Sequence, residues 1–208
     1  MIDLTTDASS DIGLFEAIYS ARSLRHFKPD PVPEALITRV IDAAIRASSG
    51  GNTQHWYFIV VRDAEKRRRL GEVYRECWAQ VGALYRQNTP ADDTQTNRIL
   101  TSADHLGEHM GEAPVLILPA SKGGDAGSVY PGVQNLFLAA RALGLGTTLT
   151  TVHKLKEAEV REILGLPEDV QTWAMIPVGY PTGKWGEAKR RPVEEVTYWD
   201  DWRATRTR

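Results

Sequence analysis

Between Val129 and Leu143 the chain spells a helix with almost no polar side. Val133, Leu136, Phe137, Leu138, Ala139, Ala140, Ala142 and Leu143 fill about four turns. A helix apolar nearly all round must be covered all round, by a core or by a subunit interface. Two further segments make a similar demand. Trp56-Tyr57-Phe58-Ile59-Val60-Val61 and Pro114-Val115-Leu116-Ile117-Leu118-Pro119 are too apolar for either face to be wet, so both read as strands inside a sheet. Thr147–Val152, rich in β-branched residues, and Thr172–Val178 read as further strands. Helices are expected at Ile12–Ser20 (capped by Ser10 or Asp11), Glu34–Ala47, Ala64–Tyr85 and Lys156–Leu164. In the second of these, Leu36, Ile37, Val40, Ile41, Ala44 and Ile45 recur at three- and four-residue steps and make one face apolar. Helices and strands mix without regular alternation, which argues an α+β fold rather than a doubly wound parallel sheet.

At 208 residues, 42% of them hydrophobic, the chain suits one globular domain, residues 1–208, with a sizeable core. A formal charge of −2 gives no general attraction to nucleic acid or to an anionic membrane. No stretch reaches the roughly 18 apolar residues of a membrane span. A single cysteine, Cys77, excludes an internal disulfide and suits a reducing compartment. Residues 1–16 carry Asp3, Asp7, Asp11 and Glu16, no basic residue and no apolar run of signal-peptide length, so the expected location is the cytoplasm. Two segments resist a periodic reading. Residues 87–111 are polar and poorly periodic, and are expected to form a lid or surface excursion with some helix. Residues 183–208 hold Trp185, Trp199 and Trp202 without a helical period. Such an arm needs a docking place, on its own body or on a partner's.

The familiar nucleotide loops are missing. Gly144-Leu145-Gly146 has two glycines and follows a helix, so the dinucleotide fingerprint fails, and no P-loop or G-x-S-x-G elbow exists. His105 and His109, four residues apart, would share a helix face but lack a third metal ligand, so no metal site is expected. No residue presents itself as a catalytic acid, base or nucleophile. What remains is dispersed. Arg22 and Arg25 flank Ser23; Asn52, Thr53 and Gln54 follow the Ser48–Gly51 turn; Thr147, Thr148, Thr150 and Thr151 cluster after Gly146; Lys189, Arg190 and Arg191 sit in the arm. Arginines give bidentate contacts to phosphate, and amides and hydroxyls suit the edge of a heterocycle. Taken singly, each is as readily a surface arginine, a strand-forming threonine or a turn asparagine.

Taken together and in this order, they resemble the FMN-dependent nitroreductase family. Ala21-Arg22-Ser23-Leu24-Arg25-His26-Phe27 resembles its N-terminal phosphate-binding signature. Ser48 through Trp56 resembles its turn-then-strand signature. Ser128-Val129-Tyr130-Pro131 through Thr151 resembles its central helix and following strand, and Gly179-Tyr180-Pro181 through Val193 its C-terminal ending. The resemblance implies a central mixed, mainly antiparallel sheet flanked by helices, and a homodimer with a domain-swapped C-terminal arm and FMN at the subunit interface. It implies that Arg22 and Arg190 hold the phosphate and that Ser23 and Arg25 contact the ribityl or pyrimidine side. Ser49 (from the opposite subunit), Asn52 and Gln54 would meet the isoalloxazine edge, and Leu149, Thr150 and Thr151 would line the ring near N5. NAD(P)H as electron donor and a small acceptor such as a nitroaromatic or quinone follow from the same likeness. Reductive dehalogenation, flavin fragmentation and flavin binding without turnover are the alternatives. Two positions depart from the family pattern: Ala21 stands where many relatives have a second arginine, and His55 where many have proline.

Overall fold

The structure, a computed structural model, describes residues 12–123 and 126–205. The expected caps Ser10 and Asp11 lie outside them, as do the last three residues of the arm.

The fold is built around β2 (Val115–Lys122). On one edge β2 pairs antiparallel with β1 (Trp56–Val61), from Trp56 opposite Ser121 to Val61 opposite Leu116. On its other edge it pairs with β4 (Val170–Thr172) and β5 (Ile176–Gly179), and β3 (Gly146–Thr147) adds on beyond β5. These ladders are all antiparallel, and a parallel bridge from Ser23 to Thr147 makes the β3 edge mixed. Alternation along β2 then assigns the two cores. Val115 and Ile117 face α2 (Glu34–Ala44) and α5 (Ala126–Ala142); Leu116 and Leu118 face α3 (Ala64–Gln87), α4 (Thr94–His109) and α6 (Glu157–Leu164). With helices on both faces, β2 is buried along nearly its whole length, which is why its sequence shows no polar alternation. α1 (Leu14–Ser20) packs along α5 and leaves Leu14, Phe15 and Tyr19 exposed.

Local chemistry accounts for most element ends. Asp63 and Asp93 accept the Lys66 and Thr96 amides at the starts of α3 and α4, and Gly165 closes α6 at φ 65°, a conformation glycine adopts without penalty. The second helix stops at Ala44 rather than Ala47 because the chain tightens there: the Arg46 and Ala47 amides reach back three residues, to Ala43 and Ala44.

Two expectations change. The strand expected at Thr147–Val152 ends at Thr147; Thr150 keeps a single bridge to Met175, and residues 152–156 wind into a 3₁₀ turn. The strand expected at Thr172–Val178 is broken into β4 and β5. Trp173, Ala174 and Met175 stand opposite only Leu118 and Pro119, a bulge placed where Pro119 has no N–H to donate. The stretch from 87 to 111 carries a sixteen-residue helix, α4, laid against α3. Its buried face is Leu100, Ala103, Leu106 and Gly107. Two of those four are too small to register as a hydrophobic period. Gly107 is required: a Cβ there would stand 2.4 Å from Cδ1 of Trp78.

Candidate functional site

Residues 22–28 behave as an edge strand. The Leu24 amide donates to the Thr147 carbonyl (3.0 Å), the Lys28 amide to Tyr180 (2.8 Å), and the Thr182 amide donates back to His26 (3.1 Å). Leu24 is buried by this pairing, while Arg22 and Ser23 stay at the surface. The arm passes over them: a Cβ on Gly186 would lie 3.8 Å from Nη1 of Arg22. The result is a cleft of about 220 Å³ whose lining includes Arg22, Ser23, Thr147, Thr148, Trp185 and Arg190. Thus Arg22, Ser23 and Arg190, read from opposite ends of the sequence, come together.

The cleft's floor is the C-terminal half of α5, through Gln134, Phe137 and Arg141. Sequence reasoning passed over Gln134 and Arg141. Their signal was faint: two polar residues seven apart, about two turns, on one face of a mainly apolar helix that also carries Ser128 and Asn135. Arg141 is a fastening residue. It donates to the Ser20 hydroxyl (2.8 Å), pairs with Glu16 (3.4 Å) and lies 4.6 Å over the Trp185 ring, so it ties α1 and the arm to α5.

The donor set suits a phosphate ester. Arg22 makes no hydrogen bond or ion pair with any described residue, and Arg190 bonds only the neighbouring Lys189 carbonyl. Thr148 is 2% exposed, and its hydroxyl has no hydrogen-bond partner among the described residues. A buried hydroxyl left without a partner is costly, about 1–3 kcal/mol, and here it lines a cleft that also holds two uncompensated guanidinium groups. These residues fit the phosphate of FMN, a dianion that two cations and two hydroxyls can hold.

Arg25, Leu149, Thr150 and Thr151 occupy the adjoining stretch. Thr150 is buried, its backbone paired both ways with Met175, and it lies beside the Tyr74 phenol. Burial raises the Tyr74 phenol, countered by Thr150 and by Arg25, whose own guanidinium burial pulls below its ordinary value. Leu149 and Thr151 are exposed on either side. Behind them, His153 is fully buried, contacts the Thr172 hydroxyl through Nε2 (3.0 Å), and is pushed down to about 4 by burial.

Ser49, Asn52 and Gln54 lie elsewhere. Their loop touches the start of α5, where the Gly50 amide donates to Ser128 (3.3 Å). The cleft is lined by that helix from Gln134 to Arg141, 6 to 13 residues further along, roughly 9 to 20 Å away, and none of the three loop residues lines it. Within one chain, therefore, the amide group and the arginine group are not in one site. The loop is strained: Gly51, Asn52 and Gln54 all have φ near +55° (58°, 55° and 54°), held by the Ser49 hydroxyl accepting the Gln54 amide at 3.1 Å. Non-glycine residues in this region persist only where their surroundings over-determine them. His55 follows, exposed at the foot of β1. Among the described residues no group of three or more His, Cys, Asp or Glu is arranged to hold a metal, and no helix is long and apolar enough to cross a membrane.

Comparison with known proteins identifies relatives along most of the chain. A protein named NADH dehydrogenase from Thermus thermophilus is 30% identical over 200 residues, 88% of this chain and 94% of its own. Iodotyrosine deiodinase 1 of Rattus norvegicus is 28% identical over 88% of this chain and 67% of its own. Among solved structures, an oxidized iodotyrosine deiodinase bound to FMN and 3-iodo-L-tyrosine superposes with a TM-score of 0.76 at 23% identity, over 91% of this chain and all of that one. The model of the Nitroreductase family matches residues 18–180, and the chain belongs to that family.

Proposed function

We propose that this protein is an FMN-dependent oxidoreductase that works as a cytoplasmic homodimer, oxidises NAD(P)H and reduces a small acceptor such as a nitroaromatic or quinone. The observation that carries the reading is the convergence of Arg22, Arg190, Ser23 and the unpartnered Thr148 hydroxyl on one cleft, in a chain of this family. When bound, FMN supplies a hydride acceptor at N5 and passes the reducing equivalents to the acceptor. Arg22 and Arg190 hold the phosphate; Ser23 and Arg25 meet the ribityl and pyrimidine side. Leu149, Thr150 and Thr151 line the ring, where a fixed backbone orients it. Ser49, Asn52 and Gln54 reach the ring edge from the second subunit, which gives their separation from the arginines a purpose. Residues 87–111, with α4, serve as the lid that sets acceptor choice. The name of the Thermus relative supports the nicotinamide donor.

The test is direct. Purified protein incubated with FMN and desalted should be yellow, and anaerobic mixing with NADH or NADPH should bleach it. Flavin that stays oxidised over minutes with both nucleotides overturns the reductase reading and leaves a flavin-binding protein. The likeness to iodotyrosine deiodinases supports a second reading, reductive dehalogenation on the same site. Product analysis with a halogenated phenol separates the two.

A further inference from the structure

The chain is net negative, yet one of its grooves gathers four cations. A groove of about 660 Å³ runs between the first turns of α4 and the arm, lined by Arg22, Arg98, Lys189 and Arg190 with one carboxylate, Glu187. The groove adjoins the phosphate cleft, and Arg22 and Arg190 stand in both. Neither Arg98 nor Lys189 has an ion-pair partner among the described residues. By contrast, three exposed arginines of α3 are matched: Arg68 sits between Glu65 and Glu72, Arg75 on Glu108 and Arg86 on Asp104. Four cations facing one carboxylate in a concave surface repel one another and focus potential on whatever enters.

A single phosphate dianion on Arg22 and Arg190 leaves Arg98 and Lys189 uncompensated, in a space open enough for a larger ligand. We propose that this groove is a second phosphate subsite, with Arg98 and Lys189 as its cations, that takes a phosphate of the nicotinamide nucleotide. The proposal rests on the flavin reading above for the roles of Arg22 and Arg190. Two phosphates of the nucleotide share this chemistry: the diphosphate common to NADH and NADPH, and the 2′-phosphate that NADPH alone carries.

The experiment is calorimetric titration of the FMN-loaded protein and its Arg98→Ala variant with adenosine 2′,5′-bisphosphate, ADP and adenosine. None of these probes can reduce flavin. Adenosine 2′,5′-bisphosphate or ADP should bind, adenosine should not, and Arg98→Ala should weaken the phosphorylated ligand roughly tenfold, as expected for one lost charge-assisted contact. Tighter binding of the bisphosphate assigns the groove to the 2′-phosphate, and tighter binding of ADP assigns it to the diphosphate. Equal binding of each ligand to wild type and variant overturns the proposal. FMN affinity, followed by quenching of flavin fluorescence, should be unchanged in Arg98→Ala. Loss of FMN there would place Arg98 in the flavin site and overturn the subsite. Wild-type protein that takes up nucleotide fragments but no FMN would refute the flavin reading and leave the subsite standing; the converse refutes the subsite alone.

Discussion

At the scale of single residues, the cleft makes a prediction that separates binding from folding. Thr148 hides a hydroxyl with no partner, so Thr148→Val removes an unmet donor and keeps the shape. The apoprotein should be as stable as wild type in urea, or slightly more so, because a buried polar group without a bond opposes folding. FMN affinity should fall in the same variant. Arg190→Ala should lower it further, by about 1.5–3 kcal/mol, the worth of a hydrogen bond to a charged group. Fluorescence titration with FMN checks both; unchanged affinity in both variants would remove this cleft from flavin binding. These residues differed in how legible they were. Arg22, Ser23 and Arg190 could be nominated through the family resemblance, because residue type alone allows each to be an ordinary surface residue. Gln134 and Arg141 could not, because a helix so apolar was assigned wholly to packing, and their common face shows only when the helix is wound. That Ser49, Asn52 and Gln54 sit at the other end of α5 follows from long-range packing that no local pattern encodes.

At the scale of elements, α4 holds a titratable joint. The ring of His105 stacks on His26 at 3.7 Å between centroids and on His109 at 4.3 Å, so three imidazoles join α4 to the edge strand that carries Arg22 and Arg25. His109 Nδ1 is also 3.0 Å from Glu112. His105 is held below its ordinary value, first by burial, then by its neighbours His26 and His109, with Glu112 acting the other way. A histidine whose folded value is depressed contributes stability that is present above its unfolded value, about 6.5, and lost as pH falls below it. His153, pushed down to about 4, acts in the same direction, while the depressed carboxylates Glu157 and Asp169 contribute only at more acid pH. Urea unfolding should therefore show stability falling from pH 7 to pH 5. His105→Phe, which keeps a stacked ring but no titration, should flatten that fall, leaving the part due to His153. Superimposable pH profiles would show that the stack carries no proton-linked energy. The His105–His109 pair was legible from its four-residue spacing, but His26, which joins it from 79 residues away, was not. Elements built of large apolar residues, β1 and β2, were readable; α4, whose buried face depends on Ala103 and Gly107, was not.

At the scale of the molecule, one chain leaves too much apolar surface uncovered. Leu14 (65% exposed) and Phe15 (67%) on α1, and Trp202 (79%) in the arm, all lie open. The helix with which the sequence reading began is only half satisfied: Val129, Val133, Leu136 and Ala140 are buried, whereas Phe137 and Leu138 are covered in part. An apolar helix covered on one side, together with an aromatic arm lacking a cradle, fits a second copy far better than solvent. A homodimer would also offer loop 49–54, which does not line the Arg22–Arg190 cleft of its own chain, the cleft of a second chain. Deleting residues 183–208 should then do two things at once. Sedimentation equilibrium should give a monomer or aggregate, and FMN binding should disappear with the loss of Arg190 and of the interface. Full-length Arg190→Ala separates the two effects, because it should stay dimeric while binding FMN weakly. A truncated chain that remains an intact dimer would show that the arm does not hold the subunits together, and would leave α1 and α5 as the surfaces that do.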